Sequence, residues 1–314
     1  MIMQGKSLRF LLTQMRGNRD NIKGGGSCPN TYVSVWGSNK YMSNLSLSNI
    51  IKLNMLFLHK RWKKDINGIN IFDEFASTLS DLTDDQKEML FTLTNEYTLV
   101  SLSEYNKFFF QAFDDAFKYA VKKGVSSIKI TPLLPEKDFG KSKSSQVVFY
   151  QLKAIHHVFD EKYKDVKISF IGSPSTIDKV KKNELICLVD DFSGTGETAE
   201  EAIGYYDGKG IPLNQIIVVT LFSMSEGKNA LDSKGIKLFT SQELLKGISD
   251  RTDGKRDRYL AEMNSIEQRI GVGEDLTYGY GHSEALISLC RTPNNTFPIF
   301  WLKNEMNEHP PFRR

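Results

Sequence analysis

The residues best suited to chemistry lie in one stretch of the chain, residues 185–198, which reads Leu-Ile-Cys-Leu-Val-Asp-Asp-Phe-Ser-Gly-Thr-Gly-Glu-Thr. An apolar run leads into Asp190 and Asp191, whose carboxylates can accept hydrogen bonds from vicinal hydroxyls or lie near a divalent cation. In the loop that follows, Gly194 and Gly196 allow backbone N–H groups to approach an anion closely. A helix beginning after this loop would turn its positive N-terminal end towards the same anion. A phosphate beside a pair of hydroxyls describes a ribose 5-phosphate, so the stretch predicts a site for one.

The elements that would position this stretch are short β-branched strands that alternate with helices after Gly124. Such alternation predicts an α/β fold with a mostly parallel sheet and flanking helices. A sheet of this kind binds ligands at the carboxyl ends of its strands. The expected strands are residues 127–131, 166–171, 185–189, 216–222 and 236–239, and the expected helices are residues 145–159, 175–182, 197–207 and 225–232.

Four segments are expected along the chain. Capping-box spacing at Thr83–Gln86 and again at Ser101–Glu104 predicts helices in the N-terminal region. The segments are a basic, partly disordered arm at residues 1–43, a helical region at 44–124, the α/β core at 125–241, and a C-terminal helical segment with a hood over the site at 242–314.

The net charge of +3 hides an asymmetry, because residues 1–64 hold eleven Lys or Arg and one acidic residue, Asp20. That segment carries +10, and the remainder of the chain carries −7. A basic arm on an acidic body favours contact with a polyanion. The alternative is a solvated tail, which the run Gly24–Ser27 favours because such sequences behave as flexible linkers.

Length and composition exclude several classes of protein. The chain has 314 residues, of which 40% are hydrophobic, as is ordinary for a globular protein. No run approaches the roughly 18 consecutive apolar residues of a membrane span, so we expect no membrane partner. The three cysteines, Cys28, Cys187 and Cys290, are too scattered for a disulfide framework or a metal site, which predicts a cytoplasmic location.

Residues 185–198 resemble the binding motif for phosphoribosyl pyrophosphate (PRPP) of type I phosphoribosyltransferases, where an apolar strand leads into two acids and then Thr-Gly-x-Thr. The resemblance implies that Asp190 and Asp191 are catalytic residues that bind the ribose hydroxyls, directly or through the Mg²⁺ that accompanies PRPP. In that family the loop after the first strand binds pyrophosphate, and here Lys141 and Ser142 are its candidates. The residues implied to bind the 5-phosphate, mostly through backbone N–H groups, are Ser193, Gly194, Thr195, Gly196, Glu197 and Thr198.

A second, narrower resemblance involves the helical N-terminal region and the tail from Gly279 to Trp301. Together they are similar to the phosphoribosyltransferase-like effectors of bacterial antiphage conflict systems, including some retrons. This resemblance implies a toxic activity on nucleotides that partner components restrain until infection. The implied partners are PRPP or a nucleotide as ligand, and a reverse transcriptase and nucleic acid in a defence complex. The acceptor base and the formation of an oligomer stay open.

Departures from the family pattern keep two alternatives open. Gly194 stands where purine-specific members often carry an acid, and the connection Gly172–Glu184 is short for a mobile catalytic loop. Both features favour a catalytically silent sensor or assembly subunit that binds a phosphoribosyl ligand. The second alternative is a degraded P-loop NTPase, since Gly140-Lys141-Ser142 follows a predicted strand. Pro135 weakens it, because a P-loop needs glycine there and proline cannot donate an N–H.

Overall fold

The computed structural model describes residues 45–66 and 68–314, and its N-terminal part is helical, as the sequence predicts. The arm predicted at residues 1–43 lies outside the described residues. Thr83 caps its helix through the expected capping box, since its hydroxyl accepts the N–H of Gln86 and its own N–H donates to the Gln86 side chain. The elements are α1 (Leu47–Lys60), the antiparallel strands β1 (Asp65–Ile66) and β2 (Ile69–Asn70), α2 (Ile71–Ser80) and α3 (Asp84–Glu96).

Strands and helices then alternate along the chain. In order they are β3 (Thr98–Leu99), α4 (Tyr105–Lys122), β4 (Ser127–Pro132), α5 (Ser144–Ile155), α6 (His157–Lys162), β5 (Lys167–Phe170), β6 (Glu184–Ser193), α7 (Glu197–Gly208), β7 (Ile216–Met224), α8 (Ser225–Ser233), β8 (Lys237–Leu244), α9 (Arg256–Arg269) and β9 (Ile287–Ser288).

Five of these strands form one sheet in the order β5-β4-β6-β7-β8, and every neighbouring pair in it is parallel. The chain runs from β4 outward to the edge strand β5 and then crosses back to β6, so the direction of the strand order reverses between β4 and β6. Open α/β sheets bind their ligands at such a switch point. The predicted α/β fold with a mostly parallel sheet and flanking helices is confirmed.

Side chains of β6 alternate between two cores, one on each face of the sheet. Cys187 and Val189 pack with residues of α4, α5 and α6, whereas Ile186 and Leu188 pack with residues of α7 and α8. A strand covered on both faces reads as a continuous apolar run, which is why its sequence lacks alternation. Within the described ranges, no helix is long and apolar enough to cross a membrane.

A third core joins the two ends of the described chain. Residues of α1, α2 and α3 pack there with residues of α9 and with Phe297, Phe300 and Phe312. Beside this core, β3 pairs in parallel with β9. The N-terminal helices and the C-terminal segment therefore share one hydrophobic interior.

The prediction of a helix at residues 175–182 is wrong. Only a short 3₁₀ turn, Pro174–Thr176, forms there, and the chain then continues irregularly to β6. Two of its backbone groups bind side chains: the N–H of Lys181 donates to Glu184, and the Lys181 carbonyl accepts from the Gln215 side chain as well as from the N–H of Glu184. Ile177 alone provides a buried apolar anchor, which is too little to hold an amphipathic helix against the sheet.

Other predicted boundaries shift. Strand β6 continues past Val189 to Ser193, because Asp190 and Phe192 keep pairing with Thr220 and Phe222 of β7. The helix expected at residues 145–159 is divided into α5 and α6. The two acids therefore lie within the strand and not after it.

Candidate functional site

A cavity of about 600 Å³ opens at the carboxyl ends of β4 and β6, where the strand order reverses. Three segments that are distant in sequence form most of its wall: the β4–α5 connection (residues 133–143), the β6–α7 loop (residues 193–196) and residues 290–295. Lys141 does not line the cavity. The other predicted site residues all do: Ser142, Asp190, Asp191, Ser193, Gly194, Thr195, Gly196, Glu197 and Thr198.

Asp190 faces the cavity from the end of β6. Its Oδ1 accepts a hydrogen bond of 2.7 Å from the Ser144 hydroxyl and one of 2.8 Å from the N–H of Asp191. Ser144 is the first residue of α5, so the loop that leads into this helix also orients the carboxylate. One oxygen of Asp190 is thereby fixed by two hydrogen bonds at the edge of the cavity.

Asp191 is buried and turns towards α4. Its Oδ2 accepts a hydrogen bond of 3.0 Å from the Tyr105 hydroxyl, and that hydroxyl accepts one of 2.9 Å from the backbone N–H of Cys290. Tyr105 is fully buried at the start of α4. The tyrosine therefore holds Asp191 in place and also fixes the C-terminal wall of the cavity.

The electrostatics of this pair follow from its burial. Burial raises the pKa of both Asp190 and Asp191, and the charge of Asp191 adds to the effect on Asp190. Hydrogen bonds from Ser144 and Tyr105 act in the opposite direction because they stabilise the ionised forms. Burial, with the nearby charge of Asp191, also raises the pKa of Tyr105, which therefore stays a hydroxyl donor. Two adjacent carboxylates, one buried and one half-buried, favour a cation or hydroxyl donors as partners.

Glycines in the β6–α7 loop are required by close packing. A Cβ on Gly194 would lie 2.1 Å from Nδ2 of Asn295, and Gly196 has a φ of +88°, in the left-handed region. Across the loop, a Cβ on Gly227 would lie 2.4 Å from the carbonyl oxygen of Gly194. The loop is thus held between the start of α8 and the C-terminal segment.

The same loop presents unpaired hydrogen-bond donors. In the described part of the chain, the backbone N–H groups of Gly194, Thr195, Gly196 and Thr198 have no acceptor. The first turn of α7 begins here, so its macrodipole adds partial positive charge. Four free donors at a helix N-terminus that lines a cavity form an arrangement that suits a phosphate.

We call residues 278–295 the cover segment, because it packs over the β6–α7 loop. The hydroxyl of Tyr280 donates to Glu197 at 2.5 Å, and a Cβ on Gly281 would lie 2.4 Å from Cγ2 of Thr195. Asn295 fixes the segment internally, since its side chain donates to the carbonyl of Tyr280 at 3.1 Å. The Glu197 carboxylate is therefore held by a hydrogen bond from the cover segment.

The cationic side chains of the cavity divide into two sets. Lys137 pairs with Glu201 at 2.6 Å, and Lys143 pairs with Asp138 at 3.0 Å. Lys141, which the sequence predicts as a pyrophosphate ligand, also binds Asp138, at 2.8 Å. The second set, Arg291 and Arg314, lines the wall on the C-terminal side.

A resident metal centre would need more ligands than these elements supply. In the described residues, no three His, Cys, Asp or Glu side chains converge on one point. Asp190 and Asp191 instead fit a Mg²⁺ that brings water and substrate oxygens as its remaining ligands, which is the usual situation in phosphate-handling sites.

Three contributors to the site were missed by sequence patterns. In the sequence, Tyr105 is the first residue of the apolar face of a predicted helix. Only its hydroxyl distinguishes it from the phenylalanines that follow. Ser144 and Asn295 lie in segments rich in hydroxyl and amide residues, where nothing marks one position above another. Their roles come from tertiary contacts alone.

No curated protein matches the chain. The PRTase-CE family model matches residues 72–314, a range that includes the whole sheet, the acid pair, the β6–α7 loop and the cover segment. The chain thus belongs to the PRTase-CE family, which is phosphoribosyltransferase-like.

Proposed function

We propose that this protein binds PRPP or a phosphoribosyl nucleotide, with the 5-phosphate at the β6–α7 loop. The single observation that carries the proposal is the set of free backbone N–H groups at Gly194, Thr195, Gly196 and Thr198. These donors lie one loop away from the acid pair on β6, so a ribose can reach Asp190 while its phosphate occupies the loop. The cavity volume of about 600 Å³ suits a ligand of this size.

Transfer of the phosphoribosyl group is the reaction that such an arrangement would favour. As pyrophosphate leaves, C1 of the ribose gains oxocarbenium character and the acceptor attacks that carbon. Bound Mg²⁺ would neutralise charge on the leaving pyrophosphate. The chain's own contribution is positioning, because Ser144 and Tyr105 orient the two carboxylates and the loop fixes the far end of the sugar phosphate.

At a finer level, we propose that the protein is the effector of an antiphage system such as a retron, acting on nucleotides in the cytoplasm. Two things support this: the match to the PRTase-CE family, and the resemblance of the N-terminal helices and tail to such effectors. A reverse transcriptase and nucleic acid are the proposed partners. The basic residues 1–64 offer complementary charge to nucleic acid.

A catalytically silent ligand-binding subunit is the second candidate, and the β5–β6 connection favours it. Lys209, the residue that follows α7, donates to the carbonyls of Ser175 and Ile177 and pairs with Asp178 at 2.7 Å. The connection is therefore fastened to the scaffold, whereas a catalytic loop has to close over its substrate. The P-loop alternative has no such support, because Lys141 binds Asp138 and does not line the cavity.

Two measurements on the full-length protein separate these candidates. Calorimetric titration with ribose 5-phosphate and with Mg-PRPP tests binding, and release of pyrophosphate with and without nucleobases tests turnover. Binding with turnover supports the transferase, and binding alone supports the silent subunit. If neither ligand binds the wild-type protein, the proposed function is wrong.

A further inference from the structure

Two arginines on the cavity wall lack a negative partner. Arg291 and Arg314 both line the cavity, and neither makes an ion pair with any carboxylate of the described residues. The lining lysines differ, because Lys137 is neutralised by Glu201 and Lys143 by Asp138. The unpaired positive charge of the cavity therefore lies on the C-terminal side and not at the β4–α5 connection.

The two guanidinium groups lie close enough to influence each other. Burial lowers the pKa of Arg314, and the charge of Arg291 lowers it further. Like charges held together without a counter-ion are unfavourable, and an anion placed between them would relieve the repulsion.

Arg314 is also held in position. Its guanidinium lies 5.5 Å from the ring centroid of Trp301, and that indole is fixed by a 2.7 Å hydrogen bond from its N–H to the carbonyl of Thr296. Trp301 is itself buried. Stacking of this kind limits the freedom of the side chain and leaves its N–H donors for a ligand.

We propose that Arg291 and Arg314 form a second anion subsite, which binds a phosphate group other than the 5-phosphate. The proposal rests on the proposed function, in which the β6–α7 loop already holds the 5-phosphate. Guanidinium groups bind phosphate oxygens in a bidentate manner, so two of them suit a doubly charged group. The phosphate comes either from the pyrophosphate of PRPP or from a second nucleotide that serves as acceptor.

The experiment compares the double variant Arg291→Gln/Arg314→Gln with wild type and with Lys303→Gln. Lys303 is an exposed cation of the same C-terminal segment that does not line the cavity, so its variant controls for the loss of charge. Each full-length protein is titrated by calorimetry with inorganic pyrophosphate, ribose 5-phosphate, Mg-PRPP and AMP. Thermal unfolding verifies that the variants are folded.

We expect the double variant to bind pyrophosphate and PRPP, or else AMP, at least about tenfold more weakly than wild type, as loss of a charge-assisted contact implies. Its affinity for ribose 5-phosphate should be unchanged. Loss of pyrophosphate and PRPP binding assigns the subsite to the donor's pyrophosphate. Loss of AMP binding with PRPP unchanged assigns it to a second nucleotide. Unchanged binding of all four ligands, or an equal loss for ribose 5-phosphate, overturns the proposal.

These outcomes remain distinguishable from failure of the proposed function. If wild type binds no ribose 5-phosphate, the assignment of the β6–α7 loop fails. Inorganic pyrophosphate needs no ribose site. Loss of pyrophosphate binding in the double variant would therefore still establish the arginine subsite.

Discussion

The hydroxyl of Tyr105 donates a 3.0 Å hydrogen bond to Asp191, a residue 86 positions further along the chain. The same hydroxyl accepts the N–H of Cys290, so one oxygen atom joins helix α4, strand β6 and the C-terminal wall of the cavity. No other bond of the site brings these three parts together through a single atom in the residues described. The geometry of the acid pair consequently depends on how the N-terminal helices and the tail are packed.

Tyr105→Phe should weaken both stability and ligand binding. The change leaves the ring in place but strips Asp191 and the Cys290 N–H of their partner, and a buried unsatisfied group costs about 1–3 kcal/mol. Urea unfolding and titration with ribose 5-phosphate are the measurements. Tyr150→Phe is the control, because the side chain of Tyr150 is 74% exposed and should tolerate the change. Equal behaviour of the two variants would contradict the role given to Tyr105.

Asp190→Asn should weaken ligand binding without lowering the stability of the protein. The amide oxygen can still accept from Ser144, while one of two adjacent carboxylates is removed, so the free energy of unfolding at pH 7 should stay the same or increase. Affinity for Mg-PRPP should nevertheless fall by about tenfold or more, as expected when a charged hydrogen-bond acceptor is lost. Asp207→Asn, on the exposed part of α7, is the control. A folded variant with wild-type affinity would exclude Asp190 from the ribose site.

Gly194→Ala should destabilise the protein by about 1–3 kcal/mol through overpacking. The added Cβ would lie 2.1 Å from the side chain of Asn295 and force the cover segment away from the loop. Gly204→Ala provides the control of opposite sign: Gly204 lies inside α7 with nothing within 4 Å of an added Cβ, so alanine there should stabilise by about 0.5–1 kcal/mol. Urea unfolding measures both, and the double variant Gly194→Ala/Asn295→Ala should recover part of the loss.

The buried Glu267 should make the stability depend on pH. Both of its carboxylate oxygens lie within hydrogen-bond distance of the Tyr278 N–H, and burial raises its pKa to about 8 from 4.5. Between those values the folded state holds a proton that the unfolded state has lost. The free energy of unfolding should therefore fall as pH rises through this window, by at most about 1.4 kcal/mol per pH unit.

Glu267→Gln should remove the contribution of one proton to the pH dependence of the free energy of unfolding. Glu274→Gln, at an exposed position, should leave that dependence unchanged. Urea midpoints between pH 5 and pH 9 provide the comparison. An equally steep slope in Glu267→Gln would show that other carboxyl groups, such as the pair on β6, account for the dependence.

The positions of the five sheet strands along the chain were predictable because they follow from local patterns, whereas their order in the sheet depends on long-range pairing. Short apolar runs such as Leu185–Val189 are typical of strands covered on both faces, and the glycines after Asp191 mark the point where the backbone meets a ligand or a neighbour. A helix was wrongly predicted at residues 175–182 because their charged side chains resemble an exposed helix face. The side chains that bind the backbone there, Glu184 and Gln215, lie on other elements.

The cover segment could not be derived in the same way. Tyr278, His282 and Glu284 all have φ values near +50 to +60°, which side-chain-bearing residues rarely adopt. Glu284 is held there by the N–H groups of Ile248 and Ser249, at 2.9 and 2.7 Å. Long-range contacts overrule local preference in this segment, and no periodicity in the sequence records them.

Strand β9 and the cover segment are translated after the five strands of the sheet. The sheet and the wall of the cavity therefore become available in a fixed order during synthesis. All five strands of the sheet have left the ribosome once residue 244 is free, so the sheet can assemble early. Cys290, Arg291 and Asn295 are translated later, and only then can the wall of the cavity form and Tyr105 gain its second hydrogen bond. The scaffold can therefore form before the chain is complete, whereas the full ligand pocket cannot.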